Sequence, residues 1–112
     1  MDRLGPAEVG DEGRRVGTSF MVTRTVAIRN QLGMHARAAA RFVHTASAFD
    51  ARVRVSRGSR EMDGKSIMGV LLLAAAKGSD ITITAEGSDE AAALDALCQL
   101  VESGFGEEPV RA

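Results

Sequence analysis

The residue with the clearest chemical potential is His35, which follows a glycine-containing segment and precedes a predicted helix. The first turn of a helix carries unpaired backbone N–H groups and a partial positive charge, so it stabilises an anion placed there. A neutral imidazole is a competent nucleophile near neutral pH. His35 is therefore a candidate phosphoryl acceptor, with the guanidinium of Arg37 as a fork of donors for the phosphoryl oxygens. Spacing alone favours the plainer interpretation, an ordinary loop or N-cap histidine.

The sequence around His35 offers a nucleophile and anion-binding groups but no catalytic partner. No HExxH motif, Ser–His–Asp order or nearby carboxylate pair accompanies it. His44 falls on the polar face of the predicted helix and is expected to be a solvated surface residue, so the two histidines are not expected to bind a metal. No cofactor is expected, and the pattern favours a covalent carrier over an enzyme that processes a small substrate.

The elements that must position His35 follow from the hydrophobic periodicity. Alternating or β-branched residues predict strands over 22–28, 50–56, 60–63 and 80–85. Helical spacing predicts helices over 36–48 and 67–76, and a last helix that Ser88 caps, with a core stripe of Leu94, Leu97, Cys98 and Val101. The order is β-α-β-β-α-β-α. Its short connections suit antiparallel neighbours, which predicts a two-layer α+β domain.

Composition excludes several classes of function. The chain has 112 residues, enough for one domain, and its formal net charge is -1 with four Phe and no Trp or Tyr. Nucleic-acid binding is therefore not expected, because it needs cationic excess or aromatic stacking. Cys98 is the only cysteine, which excludes an intramolecular disulfide. No stretch is long enough to span a bilayer, so we expect a cytoplasmic monomer with no membrane insertion.

Charge is distributed unevenly along the chain. Residues 24–65 carry a net charge of +6, and the chain from Asp80 onward carries -7. This separation suits a surface that meets anionic partners, and two ordinary solvated faces explain it equally well. Residues 1–20, rich in glycine and charge, predict a disordered N-terminal extension, and residues 107–112 predict an acidic C-terminal tail. The folded domain is predicted to be 21–106.

Ser66 is a second residue of interest, at the predicted start of the short helix. Capping that helix is sufficient to explain a serine there. A phosphate added at a helix start would be tolerated, and it would place about two negative charges beside Ile67 and Met68. Those two apolar residues could dock a partner.

Two segments resemble a known family. Residues 30–39 (NQLGMHARAA) resemble the active-site segment of the histidine-containing phosphocarrier proteins, the HPr family. Residues 63–71 (DGKSIMGVL) and 75–79 (AAKGS) resemble that family's second signature, around its regulatory serine. The likeness covers about residues 22–106, and the predicted element order agrees with the family's.

The resemblance implies an open-faced β-sandwich, in which a four-stranded antiparallel sheet is covered by three helices. It implies that enzyme I of the phosphoenolpyruvate-dependent phosphotransferase system phosphorylates His35 on Nδ1, and that a histidine of enzyme IIA receives the phosphoryl group. The matching Arg37 would stabilise that group. The matching Ser66 is phosphorylated in some lineages by an ATP-dependent HPr kinase/phosphorylase. The residues assigned to partner binding are Met34, Arg41, Ile67 and Met68.

Two branches of the family remain open. The loop 30–35 is similar to the nitrogen-related branch, whereas 64–68 looks more like sugar-type members under kinase control. Ala38 stands where the family usually has Pro, and helix initiation should survive because alanine is a good helix former. An alternative from a different class is a small α+β regulatory domain that binds its partner noncovalently.

Overall fold

A computed structural model of the chain describes residues 14–16 and 19–107. Its elements are β1 (Arg14–Val16), β2 (Ser19–Ala27), α1 (Ala36–Ser47), β3 (Arg52–Arg57), β4 (Arg60–Asp63), α2 (Ile67–Leu72), β5 (Asp80–Glu86), α3 (Glu90–Glu102) and a 3-10 turn at Gly104–Gly106. The predicted order β-α-β-β-α-β-α is present, with β1 added before it and the 3-10 turn after it.

The strands form one antiparallel sheet in the order β1-β2-β5-β3-β4. The register places Val26 opposite Ile81, and Ile83 opposite Val55, so that apolar side chains of three neighbouring strands point to one face. This alternation has period two, which is what the sequence pattern predicted. The four predicted strands are all confirmed, and β1 extends the sheet at its β2 edge.

The core lies between this sheet face and the helices. Helix α3 packs on β2 and β5, while α1 packs against α2 and α3. The predicted stripe of α3 is confirmed, since its four residues, Leu94, Leu97, Cys98 and Val101, are all buried. Phe42 is the largest buried side chain of α1. Within residues 14–16 and 19–107, the helices pack on one face of the sheet, in keeping with the open-faced two-layer prediction.

The second predicted helix is too long at its C-terminal end. Helix α2 ends at Leu72, and Leu73 is its C-cap. Ala74 then takes a left-handed conformation with φ +51°, and the Ala75 carbonyl accepts a hydrogen bond from the Met34 N–H at 2.8 Å. The apolar residues that suggested four more helical positions are partly buried, but as an irregular segment that contacts the loop before α1.

Two boundaries also differ from prediction. Strand β2 begins at Ser19 and pairs with β1, inside the stretch predicted to be a disordered extension; residues 1–13 and 17–18 lie outside the described residues. Helix α3 has Asp89 rather than Ser88 at its N-cap. The Asp89 carboxylate accepts hydrogen bonds from the backbone N–H groups of Asp50 (2.9 Å) and Ala51 (2.8 Å), which fasten α3 to the segment before β3 and lower the pKa of Asp89.

Candidate functional site

His35 is the N-cap residue of α1, as its position in the sequence suggested. Its backbone is extended (φ -81°, ψ -178°), and its side chain makes no capping hydrogen bond. The side chain is 26% exposed, so the ring is accessible from solvent. The site therefore places an imidazole beside the backbone N–H groups of the first helical turn, which have no partner within the helix.

The loop before α1 is fixed by backbone hydrogen bonds. The Gly33 N–H donates to the Asn30 carbonyl (3.1 Å), and the His35 N–H donates to the Gly33 carbonyl (2.9 Å). Gly33 has φ +66°, and a Cβ atom there would lie 2.6 Å from the Ala75 carbonyl oxygen. Only glycine fits this combination of left-handed backbone and close approach. The position of His35 therefore depends on the contact between this loop and the segment after α2.

The ring of His35 contacts a carboxylate 72 residues away in the chain. Nε2 of His35 is hydrogen-bonded to Oε2 of Glu107, whereas Nδ1 has no hydrogen-bond partner within the described residues. An ionised carboxylate can only accept, so the proton of a neutral ring lies on Nε2 and Nδ1 keeps its lone pair. The free nitrogen is thus the one that can act as a nucleophile.

Glu107 is held in place by several groups. Nδ2 of Asn30 donates to its Oε1 at 3.1 Å, and Nη1 of Arg41 donates to the carbonyl of Phe105, two residues earlier. Burial acts to raise the pKa of Glu107, but the hydrogen bonds from His35 and Asn30, together with the positive charge of Arg41, outweigh it. The net effect lowers the pKa of this carboxyl, so it is ionised at neutral pH.

His35 lies in an open depression of about 1090 Å³. Arg37, in the first turn of α1, is exposed and makes no hydrogen bond or ion pair with another residue of the described chain. Its guanidinium is therefore available to an incoming anion. The charged side chains that line the depression are Arg29, Arg37, Arg41, Lys77, Glu102 and Glu107. With four cations against two anions, the surface around the imidazole favours an anionic ligand.

Ser66 lies outside this depression, at the start of α2. Its hydroxyl accepts a hydrogen bond from the Gly69 N–H at 3.0 Å, which confirms the predicted capping role. The neighbouring side chains of Ile67 and Met68 are 46% and 68% exposed. An apolar surface thus lies directly beside the serine, on a helix that packs against α1.

The four residues predicted to bind partners divide between surface and core. Met34 is 5% exposed and belongs to the core, so that prediction is wrong: the Met34 side chain packs inward beneath the loop. Arg41 is exposed, but its guanidinium is engaged with the Phe105 carbonyl. Ile67 and Met68 are available at the surface.

Two residues of the site were missed by sequence reasoning. Glu107 was assigned to a C-terminal tail, yet its carboxylate reaches His35; the rest of that predicted tail, residues 108–112, lies outside the described residues. Asn30 is 7% exposed and donates to both Glu107 and the Gly33 carbonyl. One sequence feature could have indicated that Glu107 returns to the site. It is Gly104–Phe105–Gly106, where two glycines flank an aromatic residue after the end of α3. The buried Phe105 anchors this turn and directs the chain back to His35.

No group of three or more His, Cys, Asp or Glu residues suited to a metal ion occurs within residues 14–16 and 19–107. No helix of the described chain is long and apolar enough to cross a membrane.

The fold and the site define a small two-layer α+β protein with a solvent-accessible histidine at a helix N-terminus. The family model described as "PTS HPr component phosphorylation site" matches residues 22–103. The chain therefore belongs to the HPr family, the phosphocarrier proteins of the phosphotransferase system.

Individual relatives agree with this assignment. The chain is 47% identical over 87 residues to the phosphocarrier protein HPr of Cupriavidus necator, which covers 78% of this chain and 98% of that protein. It is 43% identical over 84 residues to the phosphocarrier protein NPr of Shewanella violacea, covering 75% and 92% of the two chains. The crystal structure of HPr-C-His from Thermoanaerobacter tengcongensis is similar with a TM-score of 0.74 and 44% identity, covering 77% and 97%. These matches confirm the predicted family and its fold.

Proposed function

We propose that His35 of this phosphocarrier accepts a phosphoryl group on Nδ1 from phospho-enzyme I and passes it to a histidine of an enzyme IIA protein. The observation that carries this proposal is the hydrogen bond between Nε2 of His35 and Glu107, which leaves the Nδ1 lone pair free. The free nitrogen belongs to the N-cap residue of α1, and Arg37 follows in the first turn.

In the accepting step, the Nδ1 lone pair of His35 attacks phosphorus. The N–P bond in phospho-enzyme I breaks, and its electron pair stays on the departing nitrogen. Arg37 and the first-turn N–H groups of α1 stabilise the negative charge on the phosphoryl oxygens. Transfer to enzyme IIA repeats the same exchange with His35 as the leaving group. The protein is in this account a stoichiometric carrier, acting as a monomer in the cytoplasm with its partners.

Intact-mass analysis under alkaline conditions tests the proposal, after incubation with phosphoenolpyruvate and a purified cognate enzyme I. The chain has two histidines, so His44→Gln provides a matched control for His35→Ala. His44 lies exposed near the C-terminal end of α1, away from the depression. We expect one acid-labile phosphoryl adduct on the wild type and on H44Q, and none on H35A. Absence of the adduct from folded wild-type protein would leave a noncovalent regulatory domain as the better account.

Ser66 is proposed as a second, regulatory phosphorylation site, the substrate of an HPr kinase/phosphorylase. Its support is the N-cap position, where a phosphate is tolerated, and the exposed Ile67 and Met68 beside it. A phosphoserine there would set about two negative charges against an apolar docking surface, which weakens the interaction with enzyme I.

The branch of the system is a separate question with its own test. The relative named HPr favours a role in sugar uptake, and the relative named NPr favours the nitrogen-related regulatory branch. Phosphorylation rates with the sugar-type and the nitrogen-type enzyme I of the same organism discriminate the two. A rate at least about tenfold higher with one enzyme assigns the protein to that branch, since tenfold corresponds to about 1.4 kcal/mol of preferred interaction.

A further inference from the structure

We infer that Glu107 is a positioning residue that keeps a proton on Nε2 of His35 throughout the phosphoryl-transfer cycle. The inference rests on the proposed function, because it concerns the same histidine. Glu107 lies outside residues 22–103, the part of the chain that the family model matches.

The contact between the Glu107 carboxylate and the His35 ring is held by the turn that precedes Glu107 and by a hydrogen bond to the carboxylate itself. Phe105 is fully buried and anchors the turn that precedes Glu107, while Arg41 binds the Phe105 carbonyl. Nδ2 of Asn30 donates to Oε1 of Glu107, and Nε2 of His35 is hydrogen-bonded to the other carboxylate oxygen, Oε2. The carboxylate is therefore held against Nε2 by groups from the loop before α1, from α1 itself and from the core.

The electronic consequence follows from the bonds that form and break. When Nδ1 of His35 binds phosphorus and Nε2 keeps its proton, the ring becomes a cation, and the Glu107 carboxylate compensates its charge. When the phosphoryl group leaves, the N–P electron pair returns to Nδ1 and the ring is again neutral with its proton on Nε2. No proton has to enter or leave the ring in either step.

Without the carboxylate, the phosphorylated ring would lose the Nε2 proton more readily. Nδ1 would then have to depart from phosphorus as an anionic imidazolate, which is a much poorer leaving group than a neutral imidazole. Onward transfer would slow, while the phosphorylated form itself would accumulate. The role of Glu107 is thus to keep Nε2 protonated, so that His35 can leave phosphorus as a neutral imidazole.

Of the two carboxylates that line the depression, Glu107 is the one that contacts the His35 ring. Glu102, at the end of α3, lines the same depression but makes no hydrogen bond to the ring. The cations oppose a positive ring, and they come from α1, from the loop before it and from the segment before β5: Arg29, Arg37, Arg41 and Lys77. The lowered pKa of Glu107 supports the ionised state that the inference requires.

The test compares Glu107→Gln with Glu102→Gln, a matched pair that removes one negative charge from the same depression. The first readout is the tautomer of His35 in the unphosphorylated full chain, from 15N chemical shifts of the ring. The second is the rate of transfer from the phosphorylated protein to enzyme IIA as a function of pH. Amide spectra of both variants establish that they are folded.

We expect the wild type and E102Q to hold the proton on Nε2 and to transfer at similar rates. In E107Q we expect a mixture of both tautomers, onward transfer about tenfold slower at neutral pH, and loss of the Nε2 proton of the phosphorylated ring at a lower pH. An E107Q protein with the ring spectrum and transfer rate of E102Q would overturn the inference and leave the proposed function intact. A wild type that accepts no phosphoryl group would overturn both, and the intact-mass experiment on H35A and H44Q identifies that case.

Discussion

The substitution Gly33→Ala tests whether the loop before α1 sets the position of His35. Gly33 has φ +66°, and a Cβ atom there would lie 2.6 Å from the carbonyl oxygen of Ala75 and 3.0 Å from Cα of Ala76. Both are backbone atoms, which cannot rotate away as the end of a side chain can. The loop must therefore move away from the segment after α2, which strains the 2.8 Å hydrogen bond from Met34 to Ala75.

The magnitude follows from two contributions. A left-handed conformation costs an alanine about 1–2 kcal/mol relative to glycine. Relieving the overlap in a packed region costs about 1–3 kcal/mol more. We therefore expect G33A to lower the free energy of unfolding by about 2–5 kcal/mol. Gly58 is a matched control, because it has φ +60° with no atom within 4 Å of an added Cβ, so that G58A carries only the conformational cost.

Urea unfolding of the two variants, followed by circular dichroism, measures the difference. We expect G33A to be less stable than G58A by at least about 1 kcal/mol. Under native conditions, we also expect G33A to accept the phosphoryl group more slowly, because the loop displaces His35. Equal destabilisation of the two variants would refute the close-approach argument. Normal phosphoryl acceptance by G33A would refute the link between this loop and the histidine.

Three further predictions concern the charges and caps of the site. Arg37→Ala should slow phosphoryl acceptance about 10- to 100-fold without unfolding the domain, because a charged hydrogen bond contributes about 1.5–3 kcal/mol. Arg52→Ala, on the exposed side of β3, is the control, and unchanged kinetics of R37A would exclude the phosphate-stabilising role. Ser66→Asp should impair phosphorylation of His35 by enzyme I while Ser66→Ala does not, although S66A should lose about 1 kcal/mol of stability with its cap; equal rates for the two variants would remove the regulatory proposal. The folded-state pKa of Glu107 lies below the ordinary value of 4.5, so its contribution to stability is present above that pH and is lost as the pH falls below it. The stability of the wild type should therefore decline more steeply in acid than that of E107Q, and parallel declines in urea titrations would contradict the assignment.

The strands were the most predictable part of the fold, for a physical reason. In β3 and β5, side chains alternate between a buried face and a more exposed one. The sequence shows the same period of two as an alternation of apolar and polar residues. The end of α2 was not predictable in this way. Its apolar run continues to Ala76, but the chain leaves the helix at Leu73 to meet the loop before α1, a contact that sequence periodicity does not encode.

The site shows the same division between local and tertiary signals. His35 and Arg37 could be predicted as candidate site residues because the helix start and the family signature are both local. Glu107 was missed because its distance from His35 in the chain is 72 residues, and only the anchored Phe105 turn brings it back. Met34 was assigned to partner binding, but its side chain is buried, since its place beside the histidine says nothing of the direction of its side chain.

The most direct test of the account is to locate the phosphoryl group on the ring. A 31P–1H–15N correlation experiment on the phosphorylated, 15N-labelled protein identifies both the histidine and the nitrogen that carry it. The account predicts phosphorus on Nδ1 of His35, because Glu107 holds the proton on Nε2. Phosphorus on Nε2 of His35, or on His44, would contradict it.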